Sequence, residues 1–188
     1  MQTSLFHRLN SWIDPRGSTL YVTPRGNAGD AAIATATMQL LRRTGVPVAC
    51  GSTRDIAADM DVIIGGGGNL VPYYNDVRDL LLACLDRDVR RCLLLSHTVR
   101  GHADVLARLD ARFLLWCRDQ PSFEFARQHA PRAQVELAHD LVLELDIGAL
   151  VRSTSGWGHR LALLRDRRWL RKLPRWWLAL ARIRPDAG

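Results

Sequence analysis

Two glycine-bearing loops and three polar stretches hold the residues of this 188-residue chain that are suited to chemistry. The first loop, "RGNAGD", offers Asn27, Gly29 and Asp30, and the second, "GGGGNL", offers Gly66, Gly67, Gly68 and Asn69. Glycines let a ligand touch the backbone itself, and the free amides at a helix start favour an anion. Further on, "LLLSHT" carries His97, a side chain that can move protons near neutral pH. "CRDQPS" carries Arg118, Asp119 and Ser122, and "VELAHD" ends on Asp140. An arginine fork suits a phosphate or carboxylate, and Asp140 is placed to hold a hydroxyl. Plainer roles stand beside these: glycines in tight turns, Arg118 in a surface ion pair, His97 satisfied in the interior. Asp30 and Asp119 suit helix caps worth about 1 kcal/mol each, and Asp140 suits an ordinary turn. Neither loop is a dinucleotide fingerprint, since "GNAGD" gives GxxG and Leu70 stands where the third glycine of GxGxxG belongs. A nicotinamide cofactor is therefore not expected.

These stretches must be positioned by the elements between them. "TLYVT", "VPVAC", "MDVIIGG", "RRCLLLSHTV", "RFLLWC" and "AQVEL" read as strands. Helical patterns separate them: "DAAIATATMQLLRRTG", with Asp30 as N-cap and Gly45 closing it, then "DVRDLLLACLDRD", "HADVLARLD" and "QPSFEFARQHA". Pro121 suits the first turn of the last of these. Strands alternating with helices predict an α/β fold: a doubly wound, mostly parallel, Rossmann-like sheet. Ligands of such sheets sit beyond the carboxyl ends of the strands, where both glycine loops are expected to lie. Four glycines after the third strand are expected to form a turn there.

The charge is unevenly spread. Residues 1–151 hold 16 Arg against 17 acids, a balance of −1, and residues 152–188 hold 10 Lys plus Arg against 2 acids, a balance of +8. The chain thus divides into a domain over 1–150 and a basic helical tail over 151–188, with four of the six tryptophans in the tail. Arg and Trp beside Leu over 157–184 suit either peripheral contact with an anionic membrane or packing on another protein surface. Nucleic acid is not an expected partner, because no binding module accompanies the charge. Cys50, Cys84, Cys92 and Cys117 have no CxxC spacing and sit among apolar residues, so buried reduced thiols are expected rather than a metal site. The amino terminus has no secretion signal pattern and no window is apolar enough to span a membrane, so a cytoplasmic location is expected.

Taken in order, "GNAGD", "DVIIGGGGNL", "LLLSHT", "CRDQPSFEF" and "VELAHDLVLEL" resemble the polysaccharide pyruvyl transferase family over residues 19 to about 147. The resemblance implies one half of a GT-B-like architecture. It implies transfer of the enolpyruvyl unit of phosphoenolpyruvate, the donor substrate, to a sugar of an exopolysaccharide or cell-wall polymer, with no further cofactor. By position, Asn27, Gly29 and Asp30 match the family's GNxGD turn, and Gly66, Gly67, Gly68 and Asn69 its GGGN turn. Arg118, Asp119 and Ser122 fall on R-[DE]-x-x-S, and Asp140 on the aspartate after the last strand. His97-Thr98 stands where many members have Gln-Ser or Gln-Thr. On this reading His97, Asp30 and Asp119 are the catalytic candidates and the others bind substrate.

The same resemblance leaves the family's second domain without a counterpart, since about 40 residues follow position 147. Three functions are carried forward. The first is a pyruvyl transferase acting on a lipid-linked saccharide at the inner membrane face, completed by a homo- or hetero-oligomeric partner. The second is a binding subunit of the same pathway without turnover. The third is a nucleotide-sugar glycosyltransferase-like domain.

Overall fold

The computed structural model describes residues 4–24 and 26–154, so the basic segment expected at 157–184 lies outside the described residues. Seven strands lie within the compact unit Met1–Leu145: β1 Thr19–Val22, β2 Ala49–Gly51, β3 Asp61–Ile64, β4 Gly67–Leu70, β5 Arg91–Val99, β6 Phe113–Cys117 and β7 Gln134–Leu137. They form one sheet in the order β2-β1-β3-β5-β6-β7, with β4 also on β5. Every pairing is parallel. The helices of this unit are α1 Leu5–Trp12, α2 Ala28–Arg43, α3 Asp76–Asp86, α4 Ala103–Leu106 and α5 Gln120–His129. The second unit begins at Asp146, and its helix α6, Ile147–Thr154, starts with Asp146 Oδ1 accepting from the Ala149 amide at 2.8 Å. The predicted doubly wound parallel α/β sheet is present.

Continuous apolar runs make the central strands two-faced. Leu20, Val22, Val62, Ile64, Leu94, Leu115 and Cys117 turn to a core shared with α3, α4 and α5. Tyr21, Ile63, Leu93, Leu95 and Trp116 alternate with them and turn to a core shared with α1 and α2. This period of two, with both faces apolar, is what a sheet covered on each side requires. Helix α1 is absent from the sequence reading. Ser4 caps it by accepting from the His7 amide, and Leu5, Leu9 and Ile13 bury one stripe. Arg8 then lies 4.6 Å over the Trp116 ring, donates to the Leu137 carbonyl at 3.0 Å and pairs with Glu136.

The amino ends of the strands are tied by a buried carboxylate. Asp61 has a fully buried side chain that accepts from Arg90 Nε at 2.8 Å and from Arg91. Burial alone pushes this carboxyl up, but the hydrogen bonds from Arg91 and Arg90 outweigh it and hold Asp61 below the usual range.

Several expectations change. The N-cap of α2 is Asn27, not Asp30, which is the third helical residue and closes a capping box. The helix expected over 102–110 shrinks to Ala103–Leu106, because His102 adopts a left-handed φ of 57° and the chain after Ala107 tightens into turns. Cys50 is exposed, since β2 is a short edge strand with all three residues open, whereas Cys84, Cys92 and Cys117 are buried.

The main correction concerns the four glycines. They are not a turn. The chain passes from β3 straight into β4, pairing Gly67 with His97 and Leu70 with Val99, and Gly45 is the only described glycine with positive φ. Glycine is needed here for close approach. A Cβ on Gly66 would stand 2.9 Å from the Ser96 carbonyl oxygen, 3.2 Å from Ile33 and 3.4 Å from Leu141. Replacing Gly66 by Ala is expected to cost about 1 to 3 kcal/mol in urea unfolding, because a backbone atom has to move. Gly68→Ala, which meets only the end of the Arg118 side chain, is expected to cost less than half as much.

Candidate functional site

Strand β1 lies between β2 and β3, so the chain leaves it in one direction and returns on the other side. This is a topological switch point, and its crevice opens at the carboxyl ends of β1 and β3. The segment Thr23–Asp30 leaves one of those ends and Gly65–Gly66 leaves the other. They are neighbours: the Gly65 amide donates to the Val22 carbonyl at 2.9 Å, and a Cβ on Gly65 would touch Pro24 at 3.0 Å.

The start of α2 is closed on itself. Asn27 Oδ1 accepts from the amides of Gly29 and Asp30 at 2.7 and 3.4 Å, and Asp30 Oδ2 accepts from the Asn27 amide at 2.8 Å. The expectation that these amides face an anion is therefore not met, because the cap already holds them. The other oxygen of Asp30 turns elsewhere. It lies 3.1 Å from where a Cβ on Gly67 would stand, and His97 Cε1 lies 3.3 Å from the same point. Arg118 Nη2 lies 3.2 Å from the equivalent point on Gly68. The bare backbone of Gly67 is thus a floor over which Asp30 and His97 meet, and Arg118 reaches the adjoining Gly68.

Each of the three has a supporting partner. Arg118 Nη1 pairs with Asp140 Oδ2 at 3.1 Å, and Asp140 Oδ1 caps the 3₁₀ turn Leu141–Glu144 through the Val142 amide at 3.0 Å. His97 Nε2 meets Asn69 Oδ1 at 2.8 Å, and Asn69 Nδ2 donates to Asp76 Oδ2 at 2.5 Å. Asp76, in the first turn of α3, is not among the site residues expected from the sequence, where it only begins the helical pattern "DVRDLLLACLDRD". Asp119 and Ser122 point away from this cluster. Asp119 Oδ1 caps α5 through the Ser122 amide at 2.8 Å and accepts from Arg100 at 3.0 Å. Burial raises the Asp119 carboxyl, and the hydrogen bonds of Ser122 and Arg100 more than reverse that. Ser122 Oγ, fully buried, accepts from the Val99 amide at 3.0 Å and fastens α5 to the end of β5.

His97 is also fully buried. Burial, and then the positive charge of Arg118, push its pKa down to about 3, opposed weakly by the carbonyls of Leu95 and Gly65. Those carbonyls make no formed hydrogen bond to Nδ1, which has no partner. The expected proton exchange near neutral pH is corrected by this environment: His97 is uncharged there and acts as a hydrogen-bonding imidazole. A separate cleft of about 260 Å³, lined by Arg8, Trp12, Arg91, Trp116 and Glu136, lies beside α1 and shares no lining residue with the cluster.

A parallel doubly wound sheet with flanking helices places this chain in the class of Rossmann-like α/β proteins. Within that class, residues 27–182 match the polysaccharide pyruvyl transferase family, and the chain belongs to it. The match continues past residue 147, where the motif resemblance ends, into the basic segment. The fold is similar to that of a functionally uncharacterised protein of Klebsiella pneumoniae subsp. pneumoniae NTUH-K2044, at 22% identity and a TM-score of 0.68. The similarity covers 77% of this chain and 58% of that one, so the chain spans little more than half of the Klebsiella structure. No curated protein matches the chain.

The state of His97 fixes a pH dependence. Its pKa is 6.5 when unfolded and about 3 when folded, so the unfolded chain binds the extra proton first as pH falls. Its contribution is complete above pH 6.5 and is lost on the way down to pH 3. Between pH 7 and pH 5 the protein is expected to lose about 2 kcal/mol more unfolding free energy than a His97→Gln variant, read by urea titration at both pH values.

Proposed function

We propose that the chain transfers the pyruvyl unit of phosphoenolpyruvate, as a cyclic ketal, to a sugar of an exopolysaccharide or cell-wall glycan. The observation that carries this reading is the meeting of Asp30 and His97 over the bare Gly67 backbone, with Arg118 on the adjoining Gly68, at the switch point of a sheet in a chain of this family. Two sugar hydroxyls add to the enol carbon, the methylene carbon takes up a proton, and inorganic phosphate leaves. The donor is an anion twice over, so a guanidinium is its natural holder.

Arg118 has a charge that can be redirected. Its pair with Asp140 is about one-third exposed on the arginine and one-quarter on the aspartate, and exposed pairs are worth only about 0 to 1 kcal/mol. A bidentate bond to phosphate or carboxylate is stronger, so exchange from Asp140 to the donor is favourable. It would release Asp140 to accept from a sugar hydroxyl. Asp30 faces the same floor from the opposite loop and serves as a second acceptor. His97 accepts a hydrogen bond and not a full charge in the resting site. The proton for the methylene carbon comes from a group other than His97, whose ring is neutral and not an imidazolium at rest.

The acceptor on this reading is lipid-linked, and the basic segment 157–184 holds the protein at the anionic inner face of the membrane. The reading is compatible with the absence, among the described residues, of any helix long and apolar enough to cross a membrane.

The test is phosphate release from phosphoenolpyruvate by the full chain, with and without glycan acceptor. Release that depends on the acceptor supports the proposal. Binding of phosphoenolpyruvate without release identifies a binding subunit, and thermal stabilisation by a nucleoside diphosphate sugar alone identifies a glycosyltransferase-like domain. Arg118→Ala is expected to weaken phosphoenolpyruvate binding by about 1.5 to 3 kcal/mol, measured by calorimetry. Unchanged affinity removes Arg118 from the site.

A further inference from the structure

We infer that Asp76 is a positioning residue: through the Asn69 amide it fixes the proton of His97 on Nε2 and leaves Nδ1 as the hydrogen-bond acceptor of the site. Donors and acceptors fix one another in turn along a chain of three side chains. A carboxylate only accepts. The end of the Asn69 amide that lies 2.5 Å from Asp76 Oδ2 must therefore be its NH₂, because an oxygen there would oppose an oxygen. That assignment turns Asn69 Oδ1 toward His97, 2.8 Å from Nε2. An amide oxygen also only accepts, so Nε2 must carry the hydrogen. An imidazole with one proton on Nε2 has its lone pair on Nδ1.

Two further features bear on that lone pair. Nδ1 is buried and has no protein partner, a costly state for a polar atom and one that a donating hydroxyl would relieve. The adjacent Cε1 stands over the Gly67 floor, on the side where Asp30 also arrives. The charged groups around the ring are Arg118, which opposes a second proton, and Asp30 at the floor. Asp76 itself has one oxygen on Asn69 and the other, Oδ1, buried with no partner. Within the described residues its carboxylate is thus directed at Asn69. The arrangement repeats the logic of a carboxylate that orients an imidazole tautomer, with an amide inserted between the two groups. Asp76 touches no reacting atom in this scheme. Its effect on turnover rests on the pyruvyl transferase reading, whereas its effect on the tautomer does not.

The test is a long-range proton–nitrogen spectrum of the full chain labelled at histidine, near neutral pH and without ligand, with the His97 signals identified by their loss in His97→Gln. The expected result is a protonated Nε2 and an unprotonated Nδ1. A protonated Nδ1, bonded to the Leu95 or Gly65 carbonyl, overturns the proposal from the unaltered protein alone. Asp76→Asn can present NH₂ to Asn69 and let that amide turn over, so it is expected to shift His97 toward the Nδ1–H form or a mixture. Asp76→Glu is expected to restore the Nε2–H form. A folded Asp76→Asn variant with an unchanged tautomer overturns the proposal, and if that variant does not fold, Asn69→Ala takes its place with the same two outcomes. Where acceptor-dependent phosphate release is measurable, Asp76→Asn is expected to lower kcat roughly 10- to 100-fold with little change in KM for phosphoenolpyruvate. Failure of phosphate release altogether counts against the function and leaves the spectrum to decide the tautomer.

Discussion

The site depends on backbone that has nothing attached to it. At Gly66, Gly67 and Gly68 the chain runs between α2, the end of β5 and the Arg118 side chain with contacts of 2.9 to 3.3 Å to the points where side chains would begin. Any larger residue at Gly66 would push α2 and the Leu141 turn away from β5, since one of its neighbours is the rigid Ser96 carbonyl. The same absence at Gly67 and Gly68 lets an acid and an imidazole meet over one glycine and a guanidinium reach the next. Packing and chemistry are thus set by one feature of three residues.

The two ends of the sheet differ in kind. At the amino ends Asp61 is enclosed and held by two arginines, and Arg112 likewise bonds Asp110 at 2.9 Å and the Val89 carbonyl at 3.1 Å. Through Asp61 and Arg91 the amino ends of β3 and β5 are joined by side chains as well as by the backbone ladder. At the carboxyl ends the Arg118–Asp140 pair is partly open, and the imidazole of His97 is buried with one nitrogen unpartnered.

Much of this was legible in the sequence because period and punctuation are local. Alternating apolar runs marked β1, β3, β5 and β6, and Asp119 with Pro121 marked the entry to α5. The family followed from five motifs in order. What was not legible depends on neighbours distant in sequence. "GGGG" reads as a turn, because nothing local shows that β5 runs long enough to pair with it. Asp76 reads as a helix start, since its partner Asn69 is seven residues away across a loop. His97 reads as a neutral-range titrating group, and only its complete burial beside Arg118 reverses that. Helix α1 has a local signal of its own, since Ser4, Leu5, Leu9 and Ile13 have capping and helical spacing, but the run is short and stands outside the strand–helix alternation.

The lengths of the strands have a consequence for how the molecule meets copies of itself. The longest, β5 with nine residues, lies in the interior of the sheet, while the outer strands β2 and β7 have three and four. A bordering strand so brief presents few unpaired amides and carbonyls as a template for another chain, and β7 adds Arg8 and Glu136 along its margin. The long apolar strand "RCLLLSHTV" is thereby sealed from other chains once the domain has closed, and it is open to them while the chain is being made.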